Sequence, residues 1–254
     1  LRFDLDPDWH IYWLNPGDSG GPPEARWGLP PGLQVATFEW PAPYRFEVGG
    51  MINYGYHGTV VLPVRVITAS DTPPPAGTVT AAVRWLACAN VCISGRSDLA
   101  LSFPLGPDER REAAGWQTAI DAARSRVPKP APPAWKAEAR AAGEAFVVDV
   151  VTGSREAQAV FFPLEVSEVD DSAPQEVIPR PDGVRLVLRQ SRQLVGVPGV
   201  LTGVLSLSGG RAYVIDAPFR QDEGPGQESR SQNPEARSQK SEARSQNSSQ
   251  RSSR

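Results

Sequence analysis

Apolar and polar positions alternate in short runs through most of this chain, and such runs predict strands rather than helices. In the first part the strand-like segments are Val60-Val61-Leu62-Pro63-Val64-Arg65-Val66-Ile67, residues 79–87 and residues 99–103. Asn15-Pro16-Gly17-Asp18-Ser19-Gly20-Gly21 and residues 71–77 read as turn clusters between strands. The period then changes. Over residues 108–126 a helix is predicted, with Trp116, Ile120 and Ala123 on one face, acidic residues near its start and Arg124 and Arg126 at its end. Pro128-Lys129-Pro130-Ala131-Pro132-Pro133 can be neither helix nor central strand and reads as a semi-rigid linker. Alternation resumes from Trp135, with strands expected at residues 145–151, 159–164, 184–188 and 212–215 and a tight turn at Gly209-Gly210. Short strands over that length suggest a small sandwich.

The chain thus divides into an all-β segment at 1–107, a helix and Pro-rich linker at 108–134, a second small β-sandwich at 135–220, and a tail at 221–254. Glu228-Ser229-Arg230-Ser231-Gln232-Asn233 and two near copies recur every seven residues in that tail. Nothing larger than Ala could form a coiled-coil seam there, so disorder is the better reading.

Composition narrows the function classes. The 254 residues have room for two domains, and 40% of them are hydrophobic. Net charge is −3, so no basic field draws the body to nucleic acid or anionic lipid. The most apolar stretch, residues 194–207, is interrupted by Gly196, Pro198, Gly199 and Gly203 and does not read as a membrane span. The chain opens Leu1-Arg2-Phe3 without a leader, which reads as a mature form or a fragment.

Cys88 and Cys92 are the only cysteines. Fully extended, four residues span roughly 13 Å, whereas a disulfide needs Cα atoms about 4.4–6.8 Å apart. The pair can close only if the chain reverses over Ala89-Asn90-Val91, as a short hairpin would allow. So small a loop removes little entropy from the unfolded chain, which suits a switch better than a staple. Three readings stay open: a passive structural disulfide, a redox-active pair, or a metal site, including a two-coordinate Cu(I) site. His10 and His57 are the only histidines, and each reads as a packed or solvent-facing imidazole. Arg84 and Arg96 are the nearest cations to the pair in sequence. No hydrolytic triad or phosphate-binding loop is apparent. Trp9, Trp13, Trp27, Trp40, Tyr44, Phe46, Tyr54, Tyr56 and Trp85 crowd the first ninety or so residues. Most should be core, while a minority could shield the sulfurs.

Read in order, Trp9-His10-Ile11-Tyr12-Trp13-Leu14-Asn15-Pro16-Gly17-Asp18-Ser19-Gly20, Trp40-Pro41-Ala42-Pro43, Asn53-Tyr54-Gly55-Tyr56, Val61-Leu62-Pro63-Val64 and Trp85-Leu86-Ala87-Cys88 to Cys92 resemble the N-terminal periplasmic domain of the DsbD thiol:disulfide interchange family. The resemblance is to its ScsB-like branch. It implies an immunoglobulin-like β-sandwich in the periplasm, with Cys88 and Cys92 as the exchanging pair and no cofactor. Its implied partners are a membrane-embedded electron-donor domain and thioredoxin-like periplasmic proteins. Residues 46–53 fall where the family places a loop that caps the disulfide, giving Phe46, Glu47, Val48, Met51, Asn53, Tyr54 and Tyr56 as candidate cap residues. That cap is acidic and aromatic in the best-known members, whereas Glu47-Val48-Gly49-Gly50-Met51 stands here. The more accessible sulfur is expected to attack the partner and the other to resolve, with Cys92 taken as the attacking residue.

Overall fold

The computed structural model describes residues 1–68, 76–103 and 107–220. The expected disordered tail and most of the turn at 71–77 lie outside the described residues. The first part is built from β1 (Arg2–Asp4), β2 (His10–Gly17), β3 (Glu24–Gly28), β4 (Leu33–Phe38), β5 (Tyr44–Val48), β6 (Met51–His57), β7 (Thr59–Val61), β8 (Val64–Thr68), β9 (Gly77–Cys88) and β10 (Cys92–Phe103). A sheet runs in the order β10-β9-β2-β6-β5, with β3 also pairing β9. Alternation chooses its inner face. Ile11 and Trp13, Ile52, Tyr54 and Tyr56, and Ala81 and Val83 are buried together. Phe3 of β1, Val60 of β7 and Leu62 join that cluster, so the two-stranded pair β1–β7 covers the sheet.

The expected helix is α1 (Pro107–Ser125). Of its predicted apolar face only Ala123 is fully buried, while Trp116 stays 41% exposed under the Arg2 guanidinium. The C-terminal basic residues act as ties. Arg124 donates to Glu39 at 2.8 Å, and Arg126 lies over the Tyr44 ring.

The second part comprises β11 (Lys129–Pro130), β12 (Lys136–Ala142), β13 (Ala145–Val151), β14 (Ala159–Pro163), β15 (Glu176–Arg180), β16 (Gly183–Arg189), β17 (Val200–Leu207) and β18 (Arg211–Pro218). Two four-stranded sheets, β11-β18-β17-β14 and β12-β13-β16-β15, close over Phe146, Val148, Leu186, Leu188, Phe161, Leu201 and Leu205. Among the described residues the molecule is therefore all-β with one α-helix, as expected. Two details differ from the sequence reading. The Pro-rich segment is no free spacer, because Lys129 and Pro130 pair with Tyr213 and Val214 at a sheet edge, where a missing N–H is tolerated. Asn15 to Gly17 belongs to β2, which continues past a register shift after Tyr12 instead of turning.

That continuation couples the two parts. Asn15, 1% exposed, donates to the Pro163 and Glu165 carbonyls at 2.9 and 3.2 Å. In β14, Phe161 enters the second core, while Phe162 enters the first, edge-on to Trp13 and Tyr54. A strand buried on both faces must be apolar throughout, and Ala159-Val160-Phe161-Phe162-Pro163 is. Tyr54 donates to Asp171 at 2.8 Å, and Arg45 to the Asp171 carbonyl at 2.9 Å. Residues Leu1–Arg220 consequently form one compact unit. Among the described residues no helix is long and apolar enough to cross a membrane.

Two outcomes are expected. Phe162→Ala removes a ring shared by both parts and should cost about 3–5 kcal/mol in denaturant unfolding. Asp171 is buried, and burial foremost, with Asp18 and Asp170 nearby, raises its pKa from 3.8 to about 6 against the Tyr54 hydrogen bond. Between pH 3.8 and about 6 the folded state keeps a proton that the unfolded state has lost. Stability from this group is thus complete below pH 3.8 and lost as pH rises through about 6. The loss is on the order of 2–3 kcal/mol. Asp171→Asn should flatten that part of a stability–pH curve measured by urea titration.

Candidate redox site

Cys88 ends β9 and Cys92 begins β10, and the two are direct register partners. The chain reverses over Ala89-Asn90-Val91, with the Ala89 N–H donating to the Val91 carbonyl at 2.9 Å. The Cα atoms are 4.1 Å apart and the sulfurs are bonded. Side chains alternate along β9, so Cys88 lies on the opposite face from Ala81 and Val83, away from the core. The sulfurs differ in environment. Cys88 is 2% exposed on a strand flanked by β10 and β2, whereas Cys92 is exposed on the edge strand. Arg84 and Arg96 face each other four residues from the cysteines, roughly 13 Å along the strands.

Register extends the site across the sheet. His10 on β2 is the partner of Cys88 on one side and of His57 on the other. Cys92, Cys88, His10 and His57 therefore form one row on the outer face. Phe46 from β5 sits over the imidazoles, with ring centroids 4.8 Å from His10 and 5.0 Å from His57. Tyr44 stacks on His57 at 5.4 Å. His10 is 2% exposed, and its Nε2 lies 3.3 Å from the Tyr12 hydroxyl. Burial, and secondarily the charge of His57, lowers the His10 pKa and favours the neutral ring. Burial likewise raises the Tyr12 phenol, opposed by a hydrogen bond to Ser19.

The Pro-Gly-Asp-Ser-Gly segment packs against Tyr12, which shares the outer face with His10. Gly20, at φ +90°, lies so close to the Tyr12 ring that a Cβ would fall 2.1 Å from it. Asp18 accepts from the Ile52 N–H at 2.7 Å, and Ser19 donates to Asn53 at 2.9 Å.

The expected cap segment is a β-hairpin, β5 and β6, turning at Gly49 and Gly50 with φ +61° and +82°. Its residues divide between faces. Phe46 and Asn53 are register partners on the outer face, as are Val48 and Met51. Glu47 is exposed and pairs with Ile52. Tyr54 and Tyr56 lie in the core instead, their hydroxyls bonded to Asp171 and to the Pro41 carbonyl. The sequence does not show His10 as the neighbour of Cys88, nor His57, Tyr12 and Tyr44 grouped around His10. The alternation of His10-Ile11-Tyr12-Trp13 marks which ring shares a face with which, but not the strand they meet. Among the described residues no three or more His, Cys, Asp or Glu converge as a metal site.

The exposure difference has a direct consequence. After reduction, iodoacetamide should alkylate Cys92 before Cys88, with a rate ratio on the order of tenfold or more, read by peptide mass spectrometry.

Residues 1–104 match the family model described as thiol:disulfide interchange protein DsbD, N-terminal. Among solved structures, the N-terminal periplasmic domain of ScsB from Proteus mirabilis shares the fold with a TM-score of 0.67 at 18% sequence identity, over 87% of this chain and 86% of that one. No curated protein matches the sequence. The shared fold extends past the family model into the second sandwich, which the long interface at Phe162 and Asn15 makes part of the same unit. Residues 1–104 are thus similar to the DsbD N-terminal domain, and the fold shared with the ScsB domain runs over most of the chain.

Proposed function

We propose that this domain is a periplasmic redox relay that takes electrons from a membrane-embedded donor domain and passes them to thioredoxin-like proteins through Cys88 and Cys92. The observation that carries the reading is the asymmetric disulfide at the end of a hairpin, with Cys92 open at a sheet edge and Cys88 covered. A donor thiolate can reach Cys92 Sγ but not Cys88. Its attack makes a mixed disulfide and expels Cys88 as the leaving thiolate; a second donor thiol then releases Cys92 reduced. Delivery runs the other way: Cys92 attacks the acceptor's disulfide, and Cys88 resolves. Phe46 serves as the cap, since it packs against His10, the register partner of Cys88, and so keeps water and small oxidants from that side. The relatives' family, and the periplasmic setting of the ScsB domain, support both the exchange chemistry and the location.

Two measurements test this. Cys88→Ser should displace thionitrobenzoate from a thioredoxin-fold protein whose single cysteine carries it as a mixed disulfide, and should stay bonded to that protein, whereas Cys92→Ser should not. Equilibration against glutathione or dithiothreitol should give a reduction potential above about −300 mV. A far lower value, with no trapped adduct, would leave only a structural bond.

A further inference from the structure

The relay chemistry leaves one group on the row unused. His10 is buried, is the register partner of Cys88, and makes no ion pair among the described residues. Directly opposed side chains on antiparallel strands hold their Cβ atoms about 4.5–5.5 Å apart on the same face. Its Nε2 meets the Tyr12 hydroxyl at 3.3 Å. The titratable groups facing His10 are Cys88 from β9, His57 from β6 and Tyr12 from its own strand, with Tyr44 of β5 beyond His57. None of them is a carboxylate. Phe46 covers the ring.

We infer that His10 is the proton-holding and positioning residue for Cys88, carrying the proton that compensates the thiolate expelled when the disulfide opens. This rests on the redox reading above. The balance is simple. The incoming thiol loses a proton as it ionises, and its sulfur forms a bond to Cys92 Sγ. The Cys88–Cys92 bond breaks, and its electron pair stays on Cys88. The proton resides on His10 as imidazolium beside that thiolate and ends on Cys88 as the thiol. Without such a partner, a thiolate forming at a site only 2% exposed would be poorly solvated. The neutral resting state follows from burial, and an adjacent thiolate reverses the preference by supplying the opposite charge.

The test is the rate of reduction of the oxidised protein by dithiothreitol, expressed per dithiothreitol thiolate, from pH 4.5 to 8.5 or so. The chain has 2 histidines, so NMR of the imidazoles in the same protein locates the His10 midpoint. In the unmodified protein the rate per thiolate should rise as pH falls towards that midpoint and level off below it. His10→Gln, which keeps a hydrogen-bonding side chain but no titrating charge, should abolish the rise and lower the plateau rate about tenfold. His57→Gln should keep the rise and move its midpoint upward, because a neighbouring positive charge is lost. A flat profile in the unmodified protein, or a His10→Gln profile identical to it, overturns the role of His10. If dithiothreitol reduces none of these proteins, the relay itself fails, which is a different result.

Discussion

Antiparallel pairing holds side chains in rows, and one row organises this molecule's chemistry. The pairing of β9 with β10 on one side and with β2 on the other sets Cys92, Cys88, His10 and His57 next to one another on one face. A slip of one residue in either ladder would turn each cysteine or imidazole to the opposite side. Register is held because the other face is buried. Ile11, Trp13, Tyr54, Tyr56, Ala81 and Val83 make the outward placement of the row the only arrangement that keeps them in the core.

The second sandwich contributes to that constraint although it carries no Cys or His. Phe162 fills the first core beneath Trp13 and Tyr54, and Asn15 ties the end of β2 to the Pro163 and Glu165 carbonyls. Support for β2 is support for His10, so the part without reactive groups helps to fix the row. Asp171 places a titrating carboxyl in the same interface, with Tyr54 as its hydrogen-bond donor.

Exposure separates the two sulfurs for a topological reason. Cys92 lies on the edge strand and Cys88 one strand inward, between β10 and β2. A single hairpin thereby yields one accessible and one sheltered sulfur without any special backbone device. The Gly20 backbone against the Tyr12 ring and Phe46 of the β5–β6 hairpin against the imidazoles cover the buried middle of the row, between exposed Cys92 and exposed His57.

Much of this could be read from the residues. Alternation located β9, β13, β14, β16 and β18, helical spacing located α1, and the short cysteine spacing demanded the reversal that the hairpin supplies. These are local signals, because strand and helix periods and loop lengths act within a few residues. Tyr54 and Tyr56 could be read either as core aromatics or as cap residues, and the segment read as a cap divided between core and surface. The linker became an edge strand because its partner, β18, lies more than eighty positions away. The row itself was hidden for the same reason. His10 and Cys88 are far apart in sequence, and nothing in either neighbourhood states which strand lies beside which. Pairing partners and burial are settled only when whole faces pack, so the sequence alone determined the elements and the reactive pair, while the tertiary fold decided what stands next to the sulfurs and which of them a partner can reach.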